Sequence, residues 1–81
     1  MEKRIGTALI IVEETTNVHR LNEIISDHGA IILGRQGLPI DDVRIISLIL
    51  HGTTDEISSL TGQIGKLSGI QIKSALAKNK A

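Results

Sequence analysis

The side chains able to do chemistry fall mostly in two short stretches. Glu13, Glu14, Thr15, Thr16 and Asn17 follow the first apolar run, with His19 just after them. His51 closes a later apolar run, and Asp55 and Glu56 follow it. Histidine with carboxylate is a ligand set for divalent metals. His19, His51 and Glu13 are therefore the candidate ligands of a metal sensor or carrier, on condition that the fold gathers the two stretches at one end of the domain. The plainer role for these acids is to cap helix N-termini along a solvated loop edge. His28 lies nine residues beyond His19. At about 100° per residue the two point to opposite sides of a helix and do not chelate one ion. His28 falls on an apolar stripe and reads as a half-buried packing residue. Arg35 can pair with a carboxylate across an interface, or serve as an edge-strand charge that discourages aggregation. No Ser-His-Asp set, glycine-rich phosphate loop or H-E-x-x-H motif is present, and no enzyme is expected.

Composition narrows the classes further. The chain has 81 residues, enough for one domain over residues 1–81. It has no cysteine, which excludes disulfides, thiolate metal sites and a thiol nucleophile. It has no Phe, Trp or Tyr, so it offers no stacking platform for single-stranded nucleic acid. Nine basic residues balance nine acidic ones, which disfavours binding to a phosphate backbone. The apolar run after Met1-Glu2-Lys3-Arg4 is too short and mixed for a signal peptide or a membrane span, so a cytoplasmic domain with no membrane partner is expected.

The periodicity reads β-α-β-β-α-β. Lys3 to Val12 is a buried strand rich in Ile, Leu and Val. Thr15, Thr16 and Asn17 are N-cap residues for a helix with the stripe Val18, Leu21, Ile25 and His28, stopped by Gly29. Ala30 to Gln36 is a second strand, and Gly37-Leu38-Pro39 opens a turn that Asp41 and Asp42 keep polar. Val43 to Leu50 is a third strand. Thr53 and Glu56 have capping-box spacing, ahead of the stripe Ile57, Leu60, Ile64 and Leu67. Gly62 and Gly65 are expected to permit close packing of this helix. Ile70 to Leu76 is the fourth strand; the ordered core spans about 3–76 and residues 77–81 are a frayed tail. A shift of 39 residues lays Val18 on Ile57, Leu21 on Leu60 and Ile25 on Ile64. Two such halves give an α+β, ferredoxin-like domain: a four-stranded antiparallel sheet with two helices on one face. The first and third strands, read as a parallel pair, lie at its centre, which places both helix starts, and the two stretches of acids, at one end.

The central strands do not alternate. Leu9, Ile10, Ile11 and Val12 are all apolar, and only Ser47 interrupts Ile45 to Leu50. Both faces of these strands are therefore apolar, while two helices cover only one. A bare apolar face marks an interaction surface, and a chain this small without disulfides gains stability from a partner subunit. A homodimer or homotetramer assembled through the sheet is expected.

Arg4-Ile5-Gly6 leading into Ile10-Ile11-Val12-Glu13, then Gly34-Arg35-Gln36-Gly37-Leu38-Pro39, then Gly52-Thr53-Thr54-Asp55-Glu56-Ile57 together resemble the family named "iron-only hydrogenase system putative regulators". Ile46-Ser47-Leu48 and Leu60-Thr61-Gly62 extend the resemblance over residues 2–76. It implies an ACT-like domain, similar to the ligand-binding domain of the nickel-responsive repressor. It also implies a regulatory role, with a small effector or a regulatory protein as partner. Such effectors sit at a subunit interface near the loop after the first strand, which makes Glu13, Thr15, Thr16 and Asn17 candidate contacts, with Arg35 and His51. Two departures matter. The loop from Glu13 to Asn17 lacks the glycine typical of amino-acid-binding ACT domains. The cysteine ligands of nickel repressors, and their DNA-binding segment before the first strand, are not found, so no cofactor and no direct nucleic-acid contact are expected.

Overall fold

The structure, a computed structural model, describes residues 2–78. Strands β1 (Arg4–Val12), β2 (Ile32–Ile40), β3 (Val43–Gly52) and β4 (Ile70–Leu76) form one sheet in the order β2-β3-β1-β4. Helices α1 (Val18–Asp27) and α2 (Thr54–Gly65) follow β1 and β3.

Every neighbouring pair in the sheet is antiparallel, including β1 with β3. The expectation of a parallel central pair is corrected here. A helical crossover makes β1 and β2 parallel, but the tight β2–β3 hairpin reverses the chain again. The strand that slots in beside β1 must then run against it. Helix α1 consequently starts at one end of the sheet and α2 at the other.

Each central strand sends alternate side chains to the helices. Ala8, Ile10 and Val12 of β1 and Ile46, Leu48 and Leu50 of β3 are buried there. Leu21, Ile24 and Ile25 of α1 and Ile57, Leu60 and Ile64 of α2 close over them, and Ile31 and Ile70 complete the core. No polar side chain is buried among the described residues. The core thus carries no desolvation penalty of that kind.

Local expectations change at several points. Gly37-Leu38-Pro39 is not a turn but the outer part of β2, paired with Ile46, Ile45 and Arg44. A proline is tolerated on an edge strand because its missing N–H faces away from the sheet. The turn is Asp41-Asp42, with Asp41 in the left-handed region at φ 49°. Asn17 precedes α1 after a short 3-10 turn (Thr15–Asn17), yet its side chain does not cap the helix. Gly62 faces open space and Gly65 makes only an ordinary contact with Ile72, so neither serves close packing. Of the expected tail, Ala77 is tied to β1: its N–H donates to Ile5 O at 2.8 Å and its carbonyl accepts from Arg4 Nη2 at 2.8 Å. Residues 79–81 lie outside the described residues.

Candidate functional site

The loop after β1 is built into the body of the domain. The backbone N–H groups of Glu13 and Glu14 donate to Gly69 O at 2.8 and 3.1 Å. Asn17 Nδ2 donates to Ser68 O at 3.0 Å and reaches Ser68 Oγ at 3.2 Å. Glu13 Oε1 accepts from Gln71 Nε2 of β4 at 3.0 Å. Glu14 lies against Gly69, whose φ of +78° is open to glycine at little cost. A Cβ there would sit 2.7 Å from Glu14 Cβ. Glu13, Glu14 and Asn17 therefore hold the turn between α2 and β4. Thr15 and Thr16 are left exposed, with no side-chain hydrogen bond among the described residues.

His51 is not near this loop. It pairs with Ile5, at the start of β1, while Glu13 follows the end of β1. Eight residues of extended chain at ~3.3 Å each set the two about 26 Å apart, against metal–ligand bonds of about 2 Å. The gathering of His19, His51, Glu13, Glu14, Asp55 and Glu56 at one end is thereby corrected. The cause is the sense of β3, which carries His51, Asp55 and Glu56 to the opposite end. Among the described residues, no group of three His, Asp or Glu side chains is placed to hold a metal ion. His19 stands in solvent, 4.0 Å from Glu23 on the same helix. His28 is half-buried and ties the helices together: Nδ1 lies 2.7 Å from Ile24 O and Nε2 3.1 Å from Ser59 Oγ of α2.

Asp55 and Glu56 act at the start of α2. Thr53 Oγ1 accepts from Glu56 N at 3.2 Å, and Glu56 Oε1 accepts from Thr53 N at 2.8 Å, completing a capping box. The Thr53 backbone N–H, then its hydroxyl, hold the Glu56 carboxyl below its ordinary value of 4.5; desolvation opposes them, and the Lys3 charge adds a smaller downward pull.

The sheet face away from the helices carries most of the exposed large apolar side chains among the described residues. Directly paired residues share a face. One row across it reads Leu38, Ile45, Ile11, Gln71; the next Gln36, Ser47, Leu9, Lys73; the next Gly34, Ile49, Thr7, Ala75. Ile40 with Val43 extends it at one end, and Ile5 with His51 at the other. Ile5, Leu9, Leu38, Ile40 and Ile49 are each more than 40% exposed, a level foreign to a finished core. The alternation of Leu38 and Ile40 around Pro39 is the signal of a strand that the turn-like composition of Gly37-Leu38-Pro39 masks. Arg35 faces the other side, where its Nη2 donates to Asn22 Oδ1 of α1 at 3.3 Å.

A sheet of this order and sense, backed by two helices on one face, is an ACT-like ferredoxin-like domain. The ACT domain of GTP pyrophosphokinase from Chlorobium tepidum superposes with a TM-score of 0.75 at 16% identity, covering 90% of this chain and 99% of that one. The C-terminal domain of the MgtC protein from Mycobacterium tuberculosis does so with 0.71 at 12% identity, covering 91% and 87%. Residues 4–74 match the TM1266-like family, described as "iron-only hydrogenase system regulator, putative", and the chain belongs to that family. The uncharacterized protein TM1266 from Thermotoga maritima is 34% identical, with a TM-score of 0.88 over 95% of this chain and 100% of that one. No curated protein matches significantly.

Proposed function

We propose that this chain is a non-catalytic regulatory module of the iron-only hydrogenase system that works as a homo-oligomer, a homodimer or homotetramer joined through the open sheet face. Family membership supports the regulatory role. The single observation that carries the oligomer is the row of exposed Ile and Leu side chains on central strands β1 and β3. The sheet is about 19 Å across its four strands and about 30 Å long, or roughly 600 Å² in projection. Stable protein pairs bury about 800 Å² on each partner. The face is thus of the right order for a subunit contact, and its residues match the apolar centre of such contacts.

In this reading the module responds to a small effector or to a regulatory protein, and it needs no metal or nucleic acid of its own. The same reading keeps the domain cytoplasmic and without a membrane partner. No helix among the described residues is long and apolar enough to cross a membrane. The loop residues Thr15 and Thr16 would touch an effector with their hydroxyls, and Glu13 and Asn17 would do so with Oε2 and Oδ1 while keeping their bonds to Gln71 and Ser68. His51, on the rim of the open face, would contact a second subunit. Sedimentation equilibrium at tens of micromolar is expected to give a mass of at least two subunits. A clean monomer there ends the proposal.

A further inference from the structure

Beyond Arg35, strand β2 is exposed on both faces, and so the hairpin carries a second surface on the side of the helices. Arg35, Gly37, Pro39, Arg44 and Ile46, with Leu38 and Ile45 between them in the two strands, line a cleft of about 340 Å³ at this hairpin, within the range of small-molecule sites. The register fixes its plan. Gly37 lies opposite Ile46 in the middle, Pro39 opposite Arg44 at one end, and Arg35 opposite Leu48 at the other. From Arg35 to the row of Arg44 is four residues of strand, about 13 Å, with one strand spacing sideways.

Three observations point to one ligand chemistry. Both arginines are exposed, and neither forms an ion pair among the described residues; the only partner of Arg35 is the neutral amide of Asn22. The floor between them is apolar, made by Ile46 and Pro39. Gly37 weakens a strand in which nothing in the chain requires it, since a Cβ added there meets no atom within 4 Å. Glycine in a strand interior marks the close approach of a ligand or another backbone.

We propose that this cleft binds a small aliphatic dicarboxylic acid. Each guanidinium takes one carboxylate, and the methylene chain crosses Gly37 against Ile46. The span favours two heads over one. The register sets the two arginine Cα positions about 14 Å apart, a span within which two guanidinium heads and a six-carbon diacid, its carboxyl carbons about 6 Å apart, fit. A single carboxylate would have to draw both side chains inward over an apolar floor. The proposal supplies the effector class that the regulatory reading leaves open, and it rests on that reading only for its biological meaning.

Adipate titrated into 15N-labelled protein at low salt is the test. Saturable shifts are expected at the amides of residues 35–46, with millimolar or tighter affinity that weakens as NaCl rises. Adipamide, of the same shape without charge, should leave those amides unmoved, and hexanoate should bind at least fivefold more weakly. Arg35→Gln and Arg44→Gln, at exposed positions, should each weaken adipate at least fivefold. Gly37→Val should abolish binding while leaving the protein folded by circular dichroism, and Gly37→Ala serves if the valine variant does not fold. No saturable shift with 20 mM adipate, equal shifts with adipamide, or full binding by the glycine variant overturns the inference. Sedimentation of the same samples reads the oligomer separately, because Arg35, Gly37 and Arg44 fall on the helix side of the sheet by register and the subunit contact is on the other.

Discussion

Thr53, Glu56 and Gly69 show how single residues set the ends of the elements that frame both sides of this domain. Thr53→Ala removes the hydroxyl that accepts from Glu56 N. Loss of such a cap costs about 1 kcal/mol, measurable by urea denaturation. The Glu56 carboxyl lies below its ordinary value in the folded protein, so the folded state favours the ionised form. Its contribution is complete above the unfolded value of 4.5 and is lost as pH falls through the lower folded value. Glu56→Gln should therefore flatten the acid limb of the stability profile and leave the profile above pH 6 parallel to the parent. Gly69→Ala should cost about 1–3 kcal/mol, since it combines a positive φ with a collision against Glu14. That loss should appear in thermal unfolding, accompanied by shifts of the Glu13 and Glu14 amides, which donate to Gly69 O.

At the scale of elements, apolar spacing revealed most of the fold. The stripes Leu21–Ile25 and Ile57–Ile64 are buried faces of helices, and β4 spans Ile70–Leu76 as its pattern implied. What misled was punctuation and sense. Gly37-Leu38-Pro39 has the composition of a turn, and only pairing with β3 makes it a strand. The sense of β3 beside β1 leaves no mark in either strand's own residues; it follows from the number of reversals between them. That one point decides the candidate metal set, because it separates His51 from Glu13. The partners of the loop after β1 were equally hidden, since Ser68, Gly69 and Gln71 are some fifty residues away in sequence. Burial differs along β2, and dynamics should follow it. Beyond Arg35 both faces of β2 are exposed, whereas β1 is covered on one face and paired on both edges. Native-state hydrogen exchange should find the amides near Leu38 and Ile40 opening at much lower free energy than those of Ala8 and Ile10. Equal protection in the free monomer would contradict this account; equal protection in an oligomer would place the outer hairpin within the contact.

Among the described residues the molecule is one-sided: a layer of helices on a sheet whose other face carries no further element. Placing charge on the bare side should separate assembly from folding. Leu9→Lys puts an ammonium in the middle row, beside Lys73 across the β1–β4 pair. Burying it in a subunit contact is unfavourable, so the variant should sediment as a monomer with an unchanged far-ultraviolet spectrum. A parent and a variant of equal mass would place the contact elsewhere. The clasp joining Arg4 and Ile5 to Ala77 has a separate consequence. It brings the two ends of the described chain side by side, while the Asp41-Asp42 turn lies at the far end of the sheet, between the two βαβ halves. The halves are thus interchangeable in order. A circular permutant, spliced across the clasp by a short linker and opened at the aspartate pair, would keep every helical crossover and trade one hairpin for another.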